Sequence, residues 1–153
     1  MAASETAIVN SALAKVGAQR ILSLDDTNER AKLMKEQYNK VRDELLFDHP
    51  WRFSITRVQL AEVTPVPVFH WAHKFQLPTD CLRVIETDLP RGDMHWAVED
   101  RFLMCQYDSV NIAYIKQVTD VSKFSPGFSE LLAVKLAADV SYSLTQSSTL
   151  RDS

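Results

Sequence analysis

Few side chains in this sequence are placed to do chemistry. His70 and His73 are the one close histidine pair. Read on a strand, residues three apart point to opposite faces, so the two rings are not expected to chelate one ion. Cys81, His95 and Cys105 are the remaining soft or borderline ligands, and they lack the paired spacing of a metal motif. Asp25-Asp26 and Glu99-Asp100 are carboxylate pairs of the type that acid–base catalysis uses. The first stands at an expected helix start, where acidic groups complement the dipole, and the second falls in an expected turn. No histidine or serine pattern completes a triad beside either pair. The reading expects no catalytic residue, no metal site and no cofactor.

Two further patterns invite function. Arg91-Gly92-Asp93 spells a tripeptide that some adhesion proteins display. Here it sits in Leu89-Pro90-Arg91-Gly92-Asp93, where Pro90 fixes one φ angle and Gly92 frees another, so it reads as a turn. Trp51, Trp71 and Trp96 with Phe53, Phe69, Phe75 and Phe102 are stacking residues in principle. Base-stacking surfaces are interleaved with basic residues, and this segment has no basic excess; the aromatics read as the core of a small sheet.

The elements that position these residues follow from periodicity. Ser4 is expected to cap a helix to about Val16 that stops at Gly17, with Ile8, Val9, Ala12, Leu13 and Val16 as its apolar stripe. Asp26 and Glu29 read as a capping box for a second helix to about Phe47. Ala31, Met34, Tyr38, Val41 and Leu45 share its inner face, and Arg30, Lys32, Lys35, Glu36, Lys40, Arg42, Asp43 and Glu44 its outer face. Pro50 ends it, because the residue before a proline is pushed out of the helical region.

From Trp51 to about Gln117 the pattern is that of strands. Trp51, Phe53 and Ile55 alternate with polar residues, then Val58 and Leu60 take the opposite parity, which predicts a bulge or bend. Thr64-Pro65-Val66-Pro67 is a stiff loop. Strands at Cys81–Ile85, Trp96–Val98, Phe102–Gln106 and Val110–Ile115 are expected to form a meander. Phe124-Ser125-Pro126-Gly127-Phe128 then opens a helix to about Leu144, apolar on most sides, with Gln146-Ser147-Ser148 and the last residues frayed. Such a helix is central to a core or shared with a neighbouring subunit.

Composition bounds the possibilities. The chain has 153 residues, enough for one domain, with 46% hydrophobic and 24% charged residues. A net charge of -3 leaves no broad basic field for nucleic acid phosphates. Two cysteines are too few for a disulfide scaffold, and packed, reduced thiols are expected. Met1-Ala2-Ala3-Ser4-Glu5 lacks the basic and apolar regions of a signal peptide, so a soluble protein made in the cytoplasm is expected. The fold class is α+β: an N-terminal helical hairpin, an antiparallel β-rich middle, and a long C-terminal helix packing with the hairpin as a helical bundle. One domain over 1–153 is expected, with helical parts 4–47 and 126–146 and a β part 51–117.

The ordered set of segments resembles a known family. Ala12-Leu13-Ala14-Lys15-Val16-Gly17, then Ile21-Leu22-Ser23-Leu24 and the second helix, are similar to the opening of the tail tubular protein A family, the head-to-tail adaptors of short-tailed bacteriophages. Trp51-Arg52-Phe53, the run Phe75 to Val84, and Tyr114-Ile115 with Val118-Thr119-Asp120 resemble its middle. Phe124 to Phe128, Leu136-Ala137-Ala138 and Leu144-Thr145 resemble its closing helix. The likeness spans nearly the whole chain, and no single motif is diagnostic.

The resemblance implies a structural virion protein at the phage neck, assembled in the host cytoplasm. It implies a homo-oligomeric ring, often dodecameric, that binds the portal protein on one side and the tail nozzle on the other. Double-stranded DNA then passes through the lumen without specific binding, and no membrane is involved. Arg91 and Asp93 in the turn, and Leu150 and Arg151 at the C-terminus, are the expected partner-binding residues. Related chains continue past the Leu-Thr region into a further helix or arm, whereas this sequence stops at Ser153; the arm is short here, or portal docking falls to the helices and sheet loops. Two alternatives stand beside this: another neck or tail-completion protein, and a small ligand-binding or catalytic α+β domain built around Trp71, His73, Cys81 and Trp96 with its site between the sheet and the last helix.

Overall fold

The computed structural model describes residues 4–90 and 95–152, with the backbone alone for residue 142 and for 144–152. The chain is of the α+β class and divides into two compact units: Met1–Asp48 with Val118–Ser153, and His49–Gln117.

The first unit is helical. Helix α1 spans Glu5–Lys15, and the Ser4 side chain accepts a hydrogen bond from the Ala7 N–H at 3.0 Å. Gly17 follows at φ 72°, the left-handed conformation that stops a helix and that glycine adopts without strain. Helix α2 spans Glu29–Asp48, ending just before His49-Pro50. Its cap is Asn28, whose Oδ1 accepts from the Ala31 N–H at 2.8 Å, and not Asp26. The Asp26 carboxylate instead takes the N–H groups of Leu22 and Ser23, at 3.1 and 3.2 Å, because the connector turns back on itself there. Asn10 of α1 holds the same connector through two bonds to the Ile21 backbone, at 2.9 and 2.7 Å.

The inner face of α2 is as its periodicity predicts: Ala31, Met34, Tyr38, Val41 and Leu45 are buried, with Leu46 beside them. Arg42 departs from the expected outer face and is 4% exposed. Its guanidinium bonds to Asp43 and Asn39, both at 3.0 Å, and lies 6.0 Å from the centre of the Tyr38 ring, so the charge is matched where it is buried.

Helix α3 spans Pro126–Asp152, well past the expected end near Leu144. Both α1 and α2 pack against it. Phe128, Leu132, Leu136 and Val140 are fully buried at spacings of four, each worth about 1.5–3 kcal/mol of burial. Lys15–Glu130 at 2.8 Å and Lys135–Glu44 at 3.9 Å tie its flanks to the other helices. Among the described residues, no helix is long and apolar enough to cross a membrane.

The second unit is β. Trp51-Arg52-Phe53 does not begin a strand: Arg52–Ser54 form one 3-10 turn, closed by the Ser54 hydroxyl and N–H donating to the Trp51 carbonyl. Strands follow at Ile55–Gln59 (β1), Ala61–Glu62 (β2), His73–Gln76 (β3), Cys81–Thr87 (β4), Ala97–Glu99 (β5), Phe102–Cys105 (β6) and Asn111–Lys116 (β7). They make two antiparallel sheets, ordered β1-β7-β4 and β2-β3-β6-β5, in place of the expected single meander. Leu60 is where the chain leaves one sheet for the other, its N–H donating to the Val110 carbonyl at 3.1 Å. The bulge or bend expected between Ile55 and Val58 is absent: β1 pairs with β7 in unbroken register from Ile55 to Gln59, and the parity changes because Trp51 and Phe53 precede the strand. Leu60, Phe75, Leu77, Cys81, Leu103, Cys105, Val110, Ile112 and Tyr114 form one core shared by both sheets.

Candidate interaction surface

The residues that suggested chemistry are scattered. Cys81 and Cys105 are both buried in the β core. Burial pushes the Cys81 thiol above its ordinary value, against the opposing pull of Arg101, so it stays a protonated packing group at neutral pH. Trp96 lies against the same core, whereas His95 is exposed, so the three soft ligands do not meet. Among the described residues, no group of three or more ligand-type side chains could hold a metal ion. Asp25 pairs with Lys35 at 2.8 Å, which lowers its carboxyl below the ordinary range, and Asp26 holds the connector. Glu99-Asp100 forms the corner of the β5–β6 hairpin, where Asp100 and Arg101 sit at φ 47° and 68°. Both are in the left-handed region, the backbone of a tight two-residue hairpin.

Arg101 explains why a strained residue stands there. Its guanidinium donates to the Cys81 carbonyl at 2.6 Å and to the Pro78 carbonyl, and its own carbonyl accepts from the Leu77 N–H at 3.1 Å. Nearby, the Tyr114 hydroxyl donates to Asp80 at 3.0 Å; burial and that carboxylate push the phenol up to about 12. A shallow cleft of about 280 Å³ lies on the β1-β7-β4 sheet around Arg57, Glu86, Asp88 and Asn111. Its polar groups bond to one another, Arg57 to Glu86 at 3.1 Å and Asp88 to the Asn111 side chain at 2.6 Å.

Among the described residues of the second unit, the exposed large apolar side chains other than Val98 lie in the loop 63–72. It carries no Asp, Glu, Lys or Arg. Pro65 and Pro67 fix two of its φ angles, and Val66, Val68 and Phe69 are 52%, 98% and 81% exposed. Phe69 is therefore not one of the core aromatics that the sequence pattern predicts. The loop is nonetheless well held. Val63 donates to the Lys74 carbonyl at 2.9 Å at one foot, beside a His73 Nδ1–Glu62 Oε1 contact of 2.5 Å. At the other foot, the Gln106 amide takes the Ala72 N–H at 2.9 Å and donates to the His70 carbonyl. His70 is in the loop and not on a strand, at φ 76°, and its Nε2 meets the Nε2 of His95 at 3.0 Å. Trp71 stacks on His95, with ring centroids 4.7 Å apart.

The first unit offers a second uncharged surface. On α3, Gly127, Leu131, Val134 and Ala138 are all exposed, and their spacing places them on one stripe. The charged residues flanking it, Glu130 and Lys135, are taken by Lys15 and Glu44. Of the partner-binding residues expected from the sequence, Arg91 and Asp93 lie outside the described residues. Leu150 and Arg151 fall near the end of α3, where the backbone alone is described. The residues that sequence reasoning missed are Phe69, Gln106 and the His70–His95 pair. The signal for the first was present, as an apolar Val68-Phe69 pair directly after Pro65-Val66-Pro67 in a stretch without Asp, Glu, Lys or Arg.

Compared with known proteins, the chain matches no family model and no curated protein.

Proposed function

We propose that this chain is a structural subunit of a ring adaptor that joins a phage portal to its tail and continues the DNA channel. The reading is carried by one observation: each unit exposes an uncharged apolar surface, the loop tip Val66-Val68-Phe69 and the α3 stripe around Leu131 and Val134. Apolar surface presented this way is what a subunit buries against neighbours. A ring needs two different patches meeting head to tail, not one patch meeting itself. The order of helices, β unit and closing helix, and the likeness of the sequence to phage head-to-tail adaptors, support the same reading. The functional residues are then contact residues, and the net charge of -3 suits a wall that DNA passes without sticking.

Sedimentation velocity with purified portal rings of the same phage tests it. The portal boundary is expected to move to a heavier species carrying equal numbers of the two subunits. An unchanged portal boundary beside a slow monomer, or a closed two-fold dimer, would overturn the reading.

A further inference from the structure

We propose that the outer edge of β1 is a strand-addition site for a partner protein, taking an extended segment with an acidic residue between two apolar ones. The two sheets are bordered by β1, β4, β2 and β5, and all but β1 are unfit for pairing. β2 has two residues and β5 three. β4 is longer, but its register against β7 shifts twice, between Cys81 and Arg83 and between Val84 and Glu86. Short edges and bulges are how sheets avoid adding foreign strands. β1 has neither protection: Ile55–Gln59 pair with β7 without a bulge and contain no proline.

The backbone groups that face outward follow from the ladder. The Leu60 N–H donates to the Val110 carbonyl at 3.1 Å, which makes that pair a hydrogen-bonded one. In an antiparallel ladder such pairs alternate, so Val58 and Thr56 also turn their N–H and C=O groups to β7. Arg57 and Gln59 therefore turn both groups away from it, as Ile55 does its carbonyl. The Ile55 N–H returns to the Arg52 carbonyl. Among the described strands β7 is the sole neighbour of β1, and Arg57 and Gln59 are exposed.

The side chains define the occupant. Val58 packs against the core of Leu60, Ile112 and Tyr114 yet is only half-buried, because the core face of the sheet ends at β1. Thr56 is half-buried on the same face. An added antiparallel strand sets one residue opposite Arg57 and that residue's two neighbours beside Thr56 and Val58. Apolar neighbours extend the core. A carboxylate opposite Arg57 meets a guanidinium that uses Nη1 for Glu86, at 3.1 Å, and has further donors. A second copy is the wrong occupant. Two β1 edges paired about Arg57 set two guanidiniums opposite each other, and like charges so placed are destabilising. Loop 63–72 and α3 take no part, so the site stands whether or not the chain forms rings.

Hydrogen exchange of the full chain at single-amide resolution tests the site, with and without the capped peptide Lys-Thr-Val-Glu-Val-Thr-Lys. In the free chain, Arg57 and Gln59 are expected to exchange at least about tenfold faster than Thr56 and Val58, after correction for intrinsic rates. At about 5 mM peptide, Arg57 and Gln59 should slow by about threefold or more, the protection reached when free peptide is twice its Kd. Thr56 and Val58, already bonded to β7, should not change. The same peptide with Lys in place of Glu should protect neither amide, and Arg57→Glu should reverse the choice between the two peptides. Protection by neither peptide, or by both alike in the native chain, would overturn the proposal. So would protection that rises with protein concentration alone, which would give the edge to a second copy.

Discussion

Leu131 and Leu132 are neighbours in sequence with opposite environments: Leu132 is fully buried and Leu131 is 43% exposed. Leu132→Ala is expected to cost about 2–5 kcal/mol of stability by urea unfolding, the range for emptying a packed core site. Leu131→Ala should change it by no more than about 0.5 kcal/mol. At Asp88, the Asn111 backbone N–H and side-chain amide hold the carboxyl below the ordinary range. Its folded value lies under its unfolded one, so its stabilisation is present above about pH 3.9 and is lost as pH falls through the folded value. The group is well exposed, so the effect is about a few tenths of a kcal/mol. Asp88→Asn should unfold at lower urea than the native chain at pH 6, with the difference closing near pH 2; an equal difference at both would contradict this. Residue by residue, apolar positions on the helices were legible because 3.6-residue periodicity is local. Arg42 was not, since only its place against Tyr38 and beside Asp43 makes burial of a guanidinium tolerable.

Between residues and the whole chain, the helices were legible and the sheet arrangement was not. Spacing and caps locate α1 and α2 to within a few residues, although the Asp26 and Asn28 carboxylate and amide compete for the same turn and only the folded connector decides between them. The division into two sheets depends on Leu60 pairing with Val110, fifty positions away in a chain that reads locally as one strand run. Strand partners are long-range choices, and alternation alone cannot distinguish one sheet from two. The β5–β6 hairpin gives a test at this scale. Arg101→Gly relieves the positive φ but removes the guanidinium bonds to Cys81 and Pro78, for an expected net loss of about 1–2 kcal/mol by urea unfolding. A gain in stability would mean those bonds contribute less than the strain. The loop 63–72 gives the counterpart for the proposed function: Val68→Ser with Phe69→Ser should leave stability to urea within about 0.5 kcal/mol, since both side chains are exposed, yet, on the proposed adaptor role, weaken co-sedimentation with portal rings.

At the scale of the molecule, sequence reasoning reached the α+β class and the order of helices, strands and closing helix. The partner-binding residues it named stand untested: Arg91 and Asp93 lie outside the described residues, and Leu150 and Arg151 are described by backbone alone; the exposed apolar surfaces among the described residues are Phe69 with Val68 and the α3 stripe. Contact surfaces are hard to read from one chain because subunit contacts and core contacts share the same apolar periodicity. The folded chain separates buried from exposed apolar positions, and the exposed ones motivate the proposed adaptor reading. If the proposed role holds, the protein is completed only by its neighbours, so the decisive measurement is made on an assembly. On the proposed adaptor role, electron microscopy of this protein mixed with purified phage portal rings should show a new ring layer stacked on the portal, one subunit wide and continuous with the channel. Bare portals beside a monodisperse monomer would contradict the account.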